Sequence, residues 1–506
     1  MTGILRNWQI LQPFSRTPSW SDEFGARDGH LACWALEILA LGRMHLSRLF
    51  SALAALGVLL LSAAGGAQAQ DLAWTTVAAE ETPGSLGRLY PFFAANRDLA
   101  FEGYVEQEVF VSGLATPLSA PYGVAPGELA TATGPARPFK TRVLVRRPDR
   151  PERFNGVFIV EWLNDSNGFD SDNVWLALQD HLIASGYAWI GVSAQGFGGV
   201  EALRAWSPTR YGDLRIENGG AMAQEPLSLD IFRQVAAGLR NGDIRQLMGG
   251  LKPTTVIATG QSQSAIWLAG FINAGLARAQ TIDAFLLISA TGAKIDPATP
   301  APVLRVVAEG DAATSDAEHQ PEDSAHFRQW EIAGASHVDR HLRAAREPVQ
   351  LRDVGASVQA TIAPKCTITT IGTTPPAYMV EAAGLDSLVA WSRGGSPIPT
   401  APRLVRQLDA EGRLHRNTLG LSSGGIRLPD IAAPVGLNVG KNSGAAACGS
   451  QGYYLPFDIH KLRALYSSPT IYRRAVVRSV RENIAAGFLL PKDGALILNA
   501  AHKASW

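Results

Sequence analysis

The chain has 506 residues, 46% of them hydrophobic and 18% charged, and its 45 basic and 45 acidic side chains give a formal net charge of zero. This is the composition of a globular protein with a sizeable core, and the length allows one large α/β domain with an addition, or two to three domains. The balanced charge gives no reason to expect nucleic acid as a partner.

The N-terminal region predicts export. From Met44 the chain reads MHLSRLFSALAALGVLLLSAAGGAQAQ, in which Arg48 precedes an apolar run that ends in the small-x-small tripeptide at 67–69. Signal peptidase requires such a site, so we predict a signal peptide over residues 44–69. Residues 1–43 then form an extension upstream of the true start codon. The run is short for a membrane span, and we expect no stable membrane insertion after cleavage, and a periplasmic or extracellular protein.

The middle of the chain alternates short apolar runs with longer segments of helical spacing. Strands are predicted at 104–111, 140–146, 156–162, 187–193, 254–259, 283–289, 303–308 and 329–333, and helices at 173–185, 229–239, 243–247 and 263–276. The first two strands follow each other without a helix, which predicts an antiparallel edge. The remaining alternation predicts a mainly parallel sheet covered by helices on both faces, an α/β core over residues 70–345.

The pattern changes after residue 345. Pro-rich segments such as TTPPAYM and GGSPIPTAPRL are followed by a helical tail at 457–487. We predict that residues 346–506 form an appended region that packs on the core and covers the sheet or the site.

Two cysteines remain outside the N-terminal extension, Cys366 and Cys448. In an oxidising compartment a pair of cysteines indicates one disulfide, and the alternative is two separate buried thiols. Neither cysteine lies in a C-x-x-C sequence or near a histidine with ligand spacing, so no metal site is expected.

A serine between a buried strand and a helix is the first candidate for chemistry. The stretch TTVIATGQSQSAIWLAGF places Ser262 at that junction, with small residues Gly260 and Ser264 two positions to either side. This is the pattern of a nucleophile elbow, in which a sharp turn lifts the serine hydroxyl clear of the sheet. The amide of Gln263 would then face an oxyanion at a helix N-terminus. The alternative is a serine that only caps an ordinary helix.

The order of the following residues supports a catalytic triad. A nucleophilic serine needs a histidine base and an acid that orients it, and α/β hydrolases carry them in the chain order serine, acid, histidine. One later strand is followed by Glu309 and Asp311, and the next by His337. We favour Asp311 as the acid and keep Glu309 as the alternative. For the second oxyanion donor we predict the amide of Leu163, in the loop after the third strand.

Several motifs together resemble a known family. VEWLN, SPTRYGDL, IATGQSQSA, EGD, QWEIAGASH and GGIRLPDIAAPVG occur in the order found in the largely uncharacterised bacterial "alpha/beta hydrolase domain" family of secreted proteins. The resemblance runs from about Tyr104 to the C-terminus. It implies an α/β-hydrolase fold with Ser262 and His337 in a triad and an acid within 309–311, and it supplies no substrate.

The sequence therefore predicts a secreted serine hydrolase that cleaves a small-molecule carboxylic ester through an acyl-enzyme, without metal or organic cofactor. An amidase or acyltransferase with the same triad, and a non-catalytic binding protein on a hydrolase scaffold, are the alternatives. The oligomeric state and the identity of the ester are not readable from the sequence.

Overall fold

The computed structural model describes residues 72–77, 90–119, 124–217, 220–221, 224–242, 244–290, 292–312, 322–407 and 414–505. The predicted signal peptide and the extension before it lie outside these residues, so both stay predictions. No helix in the described ranges has the length and apolar character needed to cross a bilayer.

A nine-stranded sheet forms the centre of the molecule, in the order β1-β2-β3-β5-β4-β6-β7-β8-β9. Its strands are β1 Ala73–Thr76, β2 Tyr104–Ala115, β3 Arg137–Pro148, β4 Val157–Trp162, β5 Ala188–Val192, β6 Thr255–Gln261, β7 Ala284–Ile288, β8 Val303–Ala308 and β9 Phe327–Ile332. The predicted antiparallel edge is confirmed, because β1 to β3 pair antiparallel and β3 joins β5 antiparallel. From β5 to β9 every neighbouring pair is parallel.

Helices cover the sheet. They are α1 Asn173–Ala184, α2 Glu201–Trp206, α3 Pro208–Tyr211, α4 Ser228–Asn241, α5 Gln263–Asn273, α6 Glu309–Ala312, α7 Arg340–Asp353, α8 Val358–Ile362, α9 Ala377–Ser392, α10 Pro429–Ala432, α11 Ile459–Leu465, α12 Pro469–Ala485 and α13 Pro491–His502. Every residue of β4 to β8 is buried. Strands that are apolar without alternation are typical of a parallel sheet with both faces covered, which explains why these runs read so clearly in the sequence.

The parallel register fixes where the site must lie. Glu161 of β4 is opposite Thr259 of β6, and Ala308 of β8 is opposite Ile332 of β9. The carboxyl ends of these strands therefore share one edge, and the loops that carry the predicted site residues all leave from it. Open α/β sheets bind their ligands at this edge.

The predicted helix at 243–247 is wrong. Residues 244–250 form a series of hydrogen-bonded turns, in which the Met248 amide donates to the Ile244 carbonyl at 2.9 Å and the Gly250 amide to the Arg245 carbonyl at 2.8 Å. Gly249 and Gly250 take φ angles of 64° and 83°, which end any helical turn before it can propagate.

A buried helix in the Pro-rich region is the main addition to the prediction. Helix α9 is mostly apolar, has buried residues on every side, and packs on β7 and β8. A Cβ built on its Gly384 would lie 2.6 Å from Leu304 and 3.2 Å from Trp330, so a glycine is what permits this close approach. The region after residue 345 therefore supplies part of the main core.

Cys366 and Cys448 form a disulfide, with 5.5 Å between their Cα atoms and 82 residues between them in sequence. Both are buried and pack with Ile371 in a small apolar cluster of their own. Nearby, β10 Gly436–Val439 and β11 Tyr453–Pro456 pair antiparallel in a second, two-stranded sheet. The bond fastens two distant parts of the C-terminal region to each other.

Candidate active site

Ser262 lies on a strained turn between β6 and α5. Its φ and ψ angles are 64° and −124°, in a region that residues other than glycine rarely adopt. Such outliers cost about 1–3 kcal/mol and cluster at functional sites. The turn is tight: a Cβ added to Gly260 would lie 2.8 Å from the Ser264 hydroxyl and 2.9 Å from the Ser264 carbonyl carbon. The elbow geometry expected from the sequence is present.

The serine at 264, where glycine is usual in this motif, has a role of its own. Its hydroxyl accepts from the amide of Gln261 at 3.0 Å and donates to the carbonyl of Gln261 at 3.0 Å, and its side chain is fully buried. One small side chain thus fastens the last residue of β6 to the first turn of α5. The sequence showed the small size of Ser264 but not this hydrogen-bonding role.

His337 and Asp311 are in direct contact. The Nδ1 atom of His337 is 2.7 Å from Oδ1 of Asp311. Burial lowers the pKa of His337, but the Asp311 charge and hydrogen bond more than offset it, so the pKa is raised above its ordinary value of 6.5. Asp311 can therefore hold the ring in the tautomer that carries its proton on Nδ1.

Glu309, the alternative acid, is occupied elsewhere. Its carboxylate is bound by Arg416 at 2.7 Å and by the Ser422 hydroxyl at 2.6 Å, and it accepts from the amides of Gly334 at 2.6 Å and Gly440 at 3.1 Å. Four donors on a buried carboxylate indicate a structural role. Of the two acids that the sequence left open, the structure brings only Asp311 to the imidazole.

Gln261 lies between the serine and the histidine. Its Nε2 is 3.3 Å from Nε2 of His337 and 3.4 Å from the His337 carbonyl oxygen, and its Oε1 accepts from Asn173 Nδ2 at 2.9 Å. Among the described residues, the Ser262 hydroxyl has no hydrogen bond to the imidazole. Catalytic hydrogen bonds in apo sites are often long and tighten only with substrate. Nothing in the sequence pattern pointed to Gln261.

The structure corrects the predicted second oxyanion donor. The amide of Leu163 donates to the Val192 carbonyl at 3.1 Å, which continues the parallel pairing of β4 and β5 by one residue. The amide of Asn164 is also occupied, by the Ser171 carbonyl at 3.0 Å. Asp165 is the first residue of this loop whose amide has no backbone acceptor within the described ranges. The loop after β4 therefore begins two residues later than the sequence prediction placed it.

Two side chains hold this loop and its strand in place. Asn164 donates from Nδ2 to the Gln261 carbonyl at 2.8 Å, which ties the loop to the elbow. Glu161 accepts from the amides of Val174 at 2.9 Å and Trp175 at 3.0 Å, at the start of α1. Burial raises the pKa of Glu161 to about 8. Both residues position the site and neither reaches it.

The amide of Gln263 opens α5 directly after the serine. The first amides of a helix have no intrahelical acceptor and favour negative charge nearby. The side chain of Gln263 turns away to donate to Gln195 Oε1 at 2.8 Å. This placement leaves the backbone amide as the group that can meet an oxyanion beside Ser262.

A small cavity of about 30 Å³ lies next to His337 and Gln261, lined also by Asp339, Leu342 and Glu381. This is room for one or two water molecules. Burial, and then the neighbouring Asp339 charge, raise the pKa of Glu381 to about 8. Within the described ranges, no group of three or more His, Cys, Asp and Glu side chains is arranged to hold a metal ion.

A family model described as "Alpha/beta hydrolase domain" matches residues 77–499. The chain belongs to this family. The predicted α/β-hydrolase fold is thereby confirmed, with its mostly parallel sheet and its helices on both faces. No curated protein matches this α/β hydrolase.

Several solved structures are similar to this α/β hydrolase at low identity. Est1E from Butyrivibrio proteoclasticus, solved with ferulic acid, is 16% identical over 43% of this chain and 97% of its own, with a TM-score of 0.27. XC6422 from Xanthomonas campestris, a serine hydrolase without a lid, is 16% identical over 48% and 94%, with a TM-score of 0.27. An esterase from Rhizomucor miehei is 12% identical over 41% of this chain and 66% of its own length, with a TM-score of 0.25. At these scores none of them bears on what this α/β hydrolase cleaves.

Proposed function

We propose that this α/β hydrolase is an exported serine hydrolase that cleaves carboxylic esters. The observation that carries the proposal is the strained serine at the strand-to-helix turn, at the same sheet edge as a histidine that is held 2.7 Å from an aspartate. A serine in a relaxed helix cap, or a histidine without an acid, would not support it.

The proposed reaction uses groups of this chain only. His337 Nε2 takes the proton of the Ser262 hydroxyl as the oxygen attacks the ester carbonyl, after the Gln261 amide has given up its contact with that nitrogen. Asp311 stabilises the imidazolium that forms. The amides of Gln263 and Asp165 hold the oxyanion, and His337 returns the proton to the leaving alcohol. Water, activated by the same histidine, then releases the acid from Ser262.

Export is part of the proposal. The disulfide between Cys366 and Cys448 supports an oxidising compartment, where such bonds persist. We expect the protein recovered from the periplasm or medium of an expressing bacterium to begin at Gln70, which N-terminal sequencing measures. A protein that is retained in the cytoplasm with an intact N-terminus would contradict export without touching the chemistry.

The test of the chemistry is a comparison of the wild type with Ser262→Ala on a panel of 4-nitrophenyl esters. Loss of a triad serine lowers kcat by about 10⁴- to 10⁶-fold, so ester turnover by the variant should fall below detection. Its circular dichroism spectrum should remain that of the wild type. A fluorophosphonate probe should label the wild type and not the variant.

A matched control is available at Ser423, whose hydroxyl is 2.9 Å from Nδ1 of His415 on the surface and lies on no elbow. Ser423→Ala should keep both turnover and labelling. Anilide substrates and alcohol acceptors, run beside the esters, separate an amidase or acyltransferase from an esterase. A wild type that neither turns over any substrate nor reacts with the probe would favour a binding protein and end the proposal.

A further inference from the structure

Arg346 is a buried cation for which the described residues provide no hydrogen-bond or ion-pair partner. It lies on the inner face of α7, and its side chain is only 3% exposed. Its Nε has no hydrogen-bond partner, and no hydrogen bond or ion pair of its guanidinium is found among the described residues. Burial lowers its pKa to about 10, which still leaves it charged at neutral pH.

Arg346 lies close to the candidate active site. Helix α7 begins three residues after His337, and Leu342, one turn before Arg346 on the same face, lines the cavity beside His337. Residues four apart on a helix have their Cβ atoms about 5–6 Å apart. The Arg346 charge lowers the pKa of His337, and the Asp172 charge raises the pKa of Arg346, so both groups lie within electrostatic reach.

Asp172 connects this arginine to the elbow. It precedes Asn173, whose side chain is bound to Gln261, the residue before Ser262. One oxygen of Asp172 is bound by Arg146, and its other oxygen, Oδ1, has no hydrogen-bond partner. Arg346 thus lies between α7 and the start of α1, beside the residues that frame the nucleophile.

An unpaired charge in the protein interior lowers the free energy of unfolding. Buried charges are therefore usually paired with an opposite charge or have a functional role. Two other buried arginines are paired with carboxylates: Arg142 binds Asp170, and Arg146 binds Glu106 and Asp172.

Arg305, which is also buried, donates to the Gln329 side chain and the Ala293 carbonyl, whereas Arg346 has no such acceptor among the described residues. The planar guanidinium presents five N–H donors, two of which can bind both oxygens of a carboxylate at once. An anionic group of a substrate that reached this guanidinium would supply the missing acceptor.

We propose that Arg346 binds a carboxylate carried by the substrate, so that the preferred substrates are esters with a free carboxylate on the acyl part or on the alcohol part. This inference rests on the proposed ester hydrolysis. The competing reading is that Arg346 only balances the Asp172 charge through a bridging water, in which case no substrate group contacts it.

The experiment compares two esters of equal chain length, mono-4-nitrophenyl glutarate and 4-nitrophenyl valerate, in wild type and Arg346→Met. We expect the wild type to favour the glutarate ester, and the ratio of its kcat/KM to that of the valerate ester to fall roughly 10- to 100-fold in the variant. Arg346→Lys keeps a charge without the fork and should retain part of the ratio. A second pair, 4-acetoxybenzoate and phenyl acetate, tests the carboxylate on the alcohol part.

Arg343→Met is the matched control, because Arg343 lies on the same helix, outside its buried face, and carries the same charge. It should leave the ratio at its wild-type value. If Arg346→Met slows both esters by the same factor, or changes neither, the competing reading holds and the inference is overturned.

A binding measurement separates this inference from the esterase proposal. Millimolar glutarate should raise the Tm of Ser262→Ala, and raise it less in Ser262→Ala/Arg346→Met. If no ester is turned over but glutarate still discriminates these variants, the anion site stands and ester hydrolysis fails. If valerate esters are cleaved and glutarate stabilises neither variant, ester hydrolysis stands and the anion site fails.

Discussion

Glu309 and Asp311 are two residues apart, but their carboxylates have different roles because their surroundings differ. Glu309 is surrounded by four donors from the C-terminal half of the chain, whereas Asp311 contacts His337. Short sequence distance therefore says little about chemical role. We therefore expect substitution of Asp311 to lower activity and substitution of Glu309 to lower stability.

Asp311→Asn should lower kcat by about 10⁴-fold, because an amide no longer holds the Nδ1–H tautomer of His337. The pKa of His337 should also fall, since Asp311 is the group that raises it. A pH–rate profile of the residual activity measures both: the acid limb, which reports the neutral base, should move to lower pH. An unchanged profile would contradict the assignment of Asp311.

Glu309→Gln is the matched variant two residues away. It should leave the imidazole–carboxylate contact intact and cost about 1.5–3 kcal/mol in the free energy of unfolding, through weaker bonds to Arg416 and the surrounding donors. Urea denaturation measures this. Catalytic loss without destabilisation would reverse the roles of the two acids.

At the scale of elements, the sequence predicted the strands well because parallel strands are uniformly apolar; β8 was found at its observed bounds. Helix α9 was missed because its apolar residues are spread around the whole helix, so that no apolar stripe marks it, and because two prolines precede it. The position of Leu163 was misjudged because a sequence does not show how far a strand keeps pairing beyond its last apolar residue. Gln261 was missed because only tertiary packing brings its side chain to His337. Arg346 was missed because the sequence of α7 does not show which of its arginines is buried.

The turn between β6 and α5 depends on the absence of a side chain at Gly260. Gly260→Ala would place a Cβ within 3.0 Å of Ser264 and Ala265 atoms, and their backbone atoms cannot move aside without opening the elbow. We expect a loss of about 1–3 kcal/mol in stability, with a fall in kcat. Thermal unfolding and ester turnover measure the two effects.

Gly134→Ala is the control for that substitution, because the added Cβ would meet no atom closer than 3.7 Å. Stability and turnover should both stay near the wild-type values. Equal effects of the two substitutions would show that the elbow has more room than its geometry indicates.

For the molecule as a whole, the disulfide is a constraint on the C-terminal region. It closes a loop with a sequence separation of 82, and a disulfide typically stabilises a fold by about 2–4 kcal/mol. Cys366→Ala/Cys448→Ala should lose about this amount in urea denaturation and become insensitive to dithiothreitol. A wild type that reductant does not destabilise would contradict the prediction.

Buried acids make the stability of the whole molecule depend on pH. Burial is the largest factor that raises the pKa of Glu161, Asp165 and Glu381 to about 8 and of Glu225 to about 7. In the unfolded chain these groups titrate near about 4. The folded protein binds the protons of these groups more tightly than the unfolded chain does. Their contribution to the free energy of unfolding is therefore fully present below about pH 4 and is lost as the pH rises toward about 8. Tm should therefore be higher at pH 5.5 than at pH 8.5.

Glu381→Gln should flatten this dependence, because an amide stays neutral at every pH. Glu482→Gln, on the exposed face of α12, should leave it as in the wild type. The measurement is Tm against pH for the three proteins. A wild-type Tm that rises steadily to pH 8.5 would contradict the raised pKa values.

Three of the four donors on Glu309 are synthesised after the proposed triad residues. Once a growing chain has emerged past His337, all three proposed triad residues are present, but Arg416, Ser422 and Gly440 are not yet made, and the acid beside Asp311 has nothing to neutralise it. The hydrogen-bond network around Glu309, which surrounds the proposed triad, is therefore completed only after residue 440 has been synthesised.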